Sequence, residues 1–193
     1  MKLNKIYSNV LNEYLEDDFR KHLPSIEEEF GVKVIKTLGE SSGIAYLTSN
    51  NKVLKITSSE GEIKVSSKLI SNPSEYFPEI YKMKRLTNNG WYVILKEFIP
   101  TINDNIKKLF KELDSYMSEW AEHKYPDELT SHKLIDVRDT GFMDFLTEEE
   151  PHLVQIYTDL NNIQQIAGEW VEILDIHEDN FGWKNNHLVL FDY

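Results

Sequence analysis

The stretch "VKVIKTLGESSGIAYLTSNNKVLKIT", Val32 to Thr57, decides how the rest of the chain is read. It holds three short runs rich in β-branched and apolar residues: "VKVIKTL", "IAYLTS" and "KVLKIT". The breaks between them, "GESSG" and "NN", are made of the residues that turns favour. Short β-branched runs cut by polar turns predict an antiparallel meander. Two features inside it call for a reason. One is a turn with two glycines and two serines. The other is Lys55, in the middle of an apolar strand.

Downstream, "SSEGEIKVSSKLI" predicts a helix. "EIYKMKRL" and "WYVILKEFI" then predict two strands joined by Asn88-Asn89-Gly90, a hairpin signal. Residues 32–99 therefore carry five strands with one helix inserted after the third, and Pro100 and Asn103 end that unit. Upstream, residues 5–22 predict a helix through Ile6, Val10, Leu11, Tyr14, Leu15 and Phe19. A short second helix follows, with Ser25 as N-cap, Glu28 three residues on and Gly31 as the stop. Beyond the sheet, Ile106, Leu109, Phe110, Leu113, Tyr116, Met117 and Trp120 form a helical stripe within Asp104–His123. Residues 124–150 predict a loop with one short helix, and residues 151–168 another helix. "NFGW" and "HLVLF" close the chain as two short strands around "KNN". The fold class predicted is α+β. Residues 1–31 are N-terminal helices, 32–100 a sheet lobe with a helix near 59–70, and 101–193 a helical lobe with a terminal hairpin.

Composition bounds the function. A chain of 193 residues with 40% hydrophobic residues makes one domain or two small lobes. The net charge of -12 argues against a nucleic-acid binder, which needs a basic face for phosphates, and favours a cationic partner. With no cysteine there is no disulfide, thiolate zinc site or thiol nucleophile, which suits the cytoplasm. The N-terminal residues lack the uninterrupted apolar run of a signal peptide. No run approaches the roughly 20 apolar residues of a membrane span.

Chemistry-bearing residues recur along this frame. Gly39 and Gly43 would let backbone approach phosphates, and Ser41 and Ser42 could donate hydroxyls; an ordinary hairpin turn would contain the same residues. Lys55 is either a solvent-facing strand residue or a buried cation with a partner. Glu62 is either that partner or, three residues after Ser59, the glutamate of a capping box. Near the C-terminus, "LDIHEDNFGW" crowds Asp175, His177, Glu178, Asp179 and Asn180 into one turn, and Asp192 ends the apolar strand "LVLF". Asn180 and Asp192 offer oxygen ligands of the kind magnesium prefers. Asp175, His177 and Asp179 alternate, so an extended segment would present them together to a transition metal. His22, His123, His132, His152 and His187 are scattered singly.

Taken in order, a glycine turn, a strand lysine, a helix carboxylate, two strands, helices, D-x-x-x-x-N and apolar-Asp resemble the running order of the protein-kinase-like superfamily. The match runs from about Val34 to Asp192. "D-I-H-E-D-N" and "LFDY" resemble the catalytic loop and metal motif of aminoglycoside phosphotransferases and related small kinases. This resemblance implies a kinase-like bilobal fold with a reduced helical C-lobe, and an ATP- and magnesium-dependent phosphotransferase. Asp175 would be the catalytic base, and Asn180 and Asp192 the magnesium ligands. Lys55 would clamp the phosphates with Glu62 as its ion-pair partner. Glu97 to Ile99 would be the hinge at adenine, with Ala45 and Val53 packing on its faces. The nucleotide loop is shorter than G-x-G-x-x-G, Ile173 and Leu174 precede Asp175, and the sequence stops one residue after Asp192. The acceptor implied is a hydroxyl on a protein or small molecule. A pseudokinase-like nucleotide-binding module and a purely acidic interaction protein are the competing readings.

Overall fold

The computed structural model describes residue 19 and residues 21–40, 43–86, 90–124, 140–168 and 178–192. The predicted helix over 5–22 lies mostly outside these residues. By their contacts the residues form two compact units: residues up to Ser59 with Ile80–Phe98, and Glu60–Glu79 with Ile99–Tyr193.

In the first unit, residues 21–30 form helix α1. The helix runs through Pro24 and Ser25, so Ser25 is not an N-cap; the fixed φ of proline is already helical. Its end is as expected. Gly31 adopts φ 64°, its N–H donates to the Glu28 carbonyl at 3.3 Å, and the Val32 N–H donates to Glu27 at 3.0 Å. That pair of bonds is a Schellman motif. The Glu27 carboxylate then accepts the Val34 N–H at 2.6 Å, which fixes where the first strand begins.

Five strands follow: β1 (Val34–Glu40), β2 (Gly43–Thr48), β3 (Lys52–Thr57), β4 (Ile80–Arg85) and β5 (Tyr92–Glu97). They make one antiparallel sheet in the order β1-β2-β3-β5-β4. The strands are longer at the first turn than expected. Both glycines of "GESSG" belong to strands, and Gly39 pairs with Ala45 beside a register shift in β1. Glycine inside a strand commonly marks such an irregularity. One face of the sheet carries Ile44, Tyr46, Leu54, Ile56, Val93 and Leu95, which form a buried cluster with Phe19, Ile26, Phe30 and Val32. Phe19 packs on Trp91 at 4.8 Å, and the ammonium of Lys82 caps α1 by donating to the Glu29 carbonyl at 2.7 Å.

The second unit begins with α2 (Glu60–Ser71), the helix inserted after the third strand. It continues with α3 (Asp104–Lys124), α4 (Thr140–Glu149), a 3-10 turn (Pro151–Leu153) and α5 (Val154–Ala167). A second 3-10 turn (Glu178–Asn180) leads into the hairpin β6 (Phe181–Lys184) and β7 (His187–Leu190). The predicted 151–168 helix opens at Pro151 with a separate 3-10 turn, in which the Leu153 N–H donates to the Glu150 carbonyl at 3.0 Å. The one short helix expected within 124–150 is α4, ten residues long, with Phe142 and Leu146 buried on one side. Phe142 meets Trp120 of α3 and Tyr157 of α5, tying three helices together. The hairpin turns on Asn185 and Asn186, with φ of 53° and 65°. Two consecutive positive φ values are the signature of a type I′ turn, which asparagine tolerates.

The arrangement is α+β, with the five-stranded sheet, inserted helix, helical segment and terminal hairpin in the order predicted. No helix among the described residues is long and apolar enough to cross a membrane.

Candidate functional site

The strand register assigns each side chain of the first unit to a face. Ala45 lies opposite Lys55, and Lys55 opposite Ile94; Leu47 lies opposite Val53, and Val53 opposite Lys96. Side chains alternate along a strand and opposed residues share a face. Ala45, Val53, Lys55, Ile94 and Lys96 therefore stand together, on the face away from α1. Lys55 is 4% exposed and Lys96 3%. The solvent-facing reading of Lys55 does not survive: both faces of β3 are covered, so alternation with Leu54 and Ile56 did not put the lysine in water. Lys96 escaped the sequence reading, although "VILKEF" carries the same signal as "VLKIT", a lysine inside an apolar strand.

Gly43 has a structural reason to be glycine. A Cβ there would lie 2.1 Å from the Ile56 carbonyl oxygen of the neighbouring strand. Gly39 has no such constraint; a Cβ would meet nothing within 4 Å among the described residues. Ser41 and Ser42 lie outside the described residues. Glu97 ends β5 opposite Lys52, and the boundary between the two units falls between Phe98 and Ile99.

In the second unit Glu62, in the first turn of α2, is wholly buried. A carboxylate holds such a position only with partners. Ile99 packs against Gly182, where a Cβ would lie 2.2 Å from the isoleucine Cγ2 and 2.4 Å from the Pro100 carbonyl oxygen. That close approach explains the glycine of "NFGW" and seats β6 against residues 99–102, with a bridge from Thr101 to Gly182 and the Ile102 N–H donating to Phe181 at 3.2 Å.

The hairpin brings Asn180 and Asp192 together although twelve positions separate them. The Asn180 carbonyl accepts the N–H groups of Phe191 at 3.0 Å and Asp192 at 3.5 Å. Asn180 is 8% exposed, while Asp192 is half-buried. The neighbouring acids turn elsewhere. Asp179 pairs with Lys107 at 3.2 Å and Glu178 with Lys111 at 3.3 Å, both on α3. Asp175 and His177 lie outside the described residues, so the Asp175, His177, Asp179 grouping has one described member.

Asp159 was missed altogether. It sits on the buried side of α5 with no exposed surface. One oxygen accepts the Leu188 N–H at 2.7 Å; the other lies 2.8 Å from Gln155 Nε2 and 3.2 Å from His187 Nδ1. A helix carboxylate thus anchors β7, the strand that leads to Asp192. The Tyr76 carbonyl anchors it again by accepting the Leu190 N–H at 3.0 Å, and the Tyr76 hydroxyl accepts from Asn162 of α5 at 2.8 Å. Burial pushes the Tyr76 phenol above its ordinary pKa, with the Asn162 bond acting against the shift. The sequence signal for Asp159 was its place among Ile156, Tyr157, Leu160 and Ile163: an acid on an apolar stripe.

No protein-family model matches the chain, and no curated protein matches it significantly. Among solved structures the chain is similar to the kinase PK-1 of the Cydia pomonella granulovirus, at 17% sequence identity and a TM-score of 0.42. The likeness covers 90% of this chain and 58% of that one, so this chain spans less than two thirds of that kinase's length.

Proposed function

We propose that the chain is a kinase-like phosphotransferase that uses ATP and magnesium to phosphorylate a hydroxyl of a protein or small molecule. The observation that carries the proposal is Lys55. A lysine costs several kcal/mol to bury unless its charge is answered, and Lys55 is buried on the same sheet face as Ala45 and Val53. A positive group set among small apolar residues suits a purine nucleotide, whose base wants apolar walls and whose phosphates want a cation.

The donor chemistry fits magnesium. Asn180 and Asp192 offer an amide and a carboxylate oxygen, the hard ligands magnesium takes, and the hairpin holds their backbones together. When bound, magnesium-ATP supplies the phosphoryl group and shields its charge. The chain's own residues do the rest. Lys55 holds phosphate charge, with Glu62 orienting it. Asn180 and Asp192 hold the metal. Asp175 would take the acceptor hydroxyl proton as the hydroxyl oxygen bonds to the γ-phosphorus and that phosphorus parts from the β–γ bridging oxygen, which leaves with ADP. Gly39, Ser41, Ser42 and Gly43 line the phosphates, and Glu97 to Ile99 meet the adenine. The aminoglycoside-phosphotransferase style of "DIHEDN" favours a small-molecule or exposed side-chain hydroxyl. A nucleotide-rich cytoplasm would be its setting.

General-base positioning contributes about 10²- to 10⁴-fold in rate. In a radiolabel transfer assay Asp175→Asn should therefore lose turnover by that factor and still bind magnesium-ATP. Full transfer by Asp175→Asn would contradict the assignment.

A further inference from the structure

His152 faces a carboxylate oxygen at each ring nitrogen. Nε2 lies 3.1 Å from Glu112 Oε1, and Nδ1 lies 3.5 Å from Glu150 Oε2. A neutral imidazole carries one N–H and can donate to one of them only. Only the contact at Nε2 has hydrogen-bond geometry, so with one proton on Nε2 the Nδ1 lone pair stays open to a cation, either a second ring proton or a metal ion held with the carboxylates.

We propose that Glu112, Glu150 and His152 form a binding site for a divalent transition metal of the zinc or manganese kind. One ligand atom from each residue lies within 4.8 Å of the others. Ligands about 2.0–2.2 Å from a tetrahedral ion stand on the order of 3.3–3.6 Å apart, so little movement closes the site. Charge favours the metal over the proton. Two carboxylates balance a divalent ion, whereas one ring proton leaves a net negative charge in a chain whose net charge is already -12. Ligand type selects the metal: an imidazole with two carboxylates suits zinc or manganese, while magnesium and calcium take oxygen alone.

The groups are mounted on regular structure. Glu112 and Tyr116 lie one turn apart on α3, and the Tyr116 hydroxyl donates to Glu150 Oε1. That bond occupies the oxygen not facing His152 and orients the carboxylate, as outer-shell partners of metal ligands do. Glu150 and His152 flank Pro151 at the joint between α4 and α5. The Glu150 N–H bonds to the Leu146 carbonyl and the Leu153 N–H to the Glu150 carbonyl, each at 3.0 Å. A metal here would clamp α3 to that joint. The site shares no residue with the proposed nucleotide site, so its fate and that of the phosphotransferase reading are independent.

The test is calorimetric titration of the full chain, freed of metal, with zinc chloride alone and then manganese chloride alone, alongside thermal unfolding. The wild type should take up one equivalent of at least one of these ions and unfold at higher temperature with it. Glu112→Gln and His152→Gln should each bind at least about tenfold more weakly, and Tyr116→Phe about 10- to 100-fold more weakly through the outer shell. His22→Gln, at an exposed histidine of α1, should bind as the wild type does. All three site residues are partly exposed, and circular dichroism is the check that the variants fold. No uptake of either ion by the wild type would overturn the proposal. So would equal uptake by the site variants, or a stability that responds to pH through His152 but not to metal.

Discussion

The two faces of the five-stranded sheet are both buried and chemically opposite. On one, Leu54 and Ile56 are wholly covered and their neighbours are all apolar. On the other, Lys55 and Lys96 are covered just as well. Burial alone therefore does not separate residues that make the fold from residues that use it. The separation lies in the side chain's chemistry: an apolar group gains by leaving water, and an ammonium loses. A buried lysine one position from a buried leucine needs interactions that the leucine does not.

The comparison breaks most easily at Leu54. Leu54→Ala removes core volume with nothing to refill it and should cost about 2–5 kcal/mol in chemical denaturation. A loss well under 1 kcal/mol would mean that the α1-side face is not the structural one. Asp159 tests whether a buried charged group can be structural instead. Asp159→Asn keeps the shape but weakens the acceptor for the Leu188 N–H and His187. It should cost about 1–3 kcal/mol and speed hydrogen exchange at the Leu188 amide. If stability and exchange stay unchanged, Asp159 does not anchor the hairpin.

How much of this was legible follows from how local each signal is. The strands of 32–57 were readable because β-branched runs and turn residues report directly on backbone conformation. Gly31 was readable as a helix stop for the same reason. Ser25 misled because its spacing to Glu28 has the form of a capping box, whereas the helix already runs through Pro24 and Ser25. Gly43 was read only for close approach to phosphate, and its second reason, a neighbouring carbonyl that excludes a side chain, was not visible. Such an approach across strands has no local signature. The Glu112, Glu150, His152 grouping belongs to the same class, because it depends on residues brought from other elements, whereas Asp159 and Lys96 carried a local signal, a charge inside an apolar pattern, that went unread. Asn180 and Asp192 lie between. Their types and the hairpin around "KNN" were visible, but the backbone bonds that bring the two residues together were not.

Tyr116 sharpens the contrast between buried and exposed polar groups. Its hydrogen bond to Glu150, aided by burial and nearby carboxylates, pushes the phenol up to about 12. A raised folded pKa means a contribution fully present below the unfolded pKa of 10 and lost as pH rises through about 12. Ultraviolet titration in chelator should therefore show a late-ionising phenol in the wild type that Tyr116→Phe lacks. Identical curves would remove the bond. The smallest effect belongs to the exposed pair of Lys107 and Asp179. Lys107→Ala should cost only about 0.2–1 kcal/mol, and a larger loss in denaturation would give the turn at 178–180 a buried role.

The central claim is that the Lys55 face serves a nucleotide. Titration of magnesium-ATP into the wild type and Lys55→Met tests it directly, with unfolding midpoints measured on the same samples. Losing a charge-assisted contact of about 1.5–3 kcal/mol should weaken nucleotide affinity roughly 10- to 100-fold. The midpoints check that both samples are folded at the titration temperature. Magnesium-ATP binding by Lys55→Met equal to the wild type, or no binding by the wild type itself, would contradict the account.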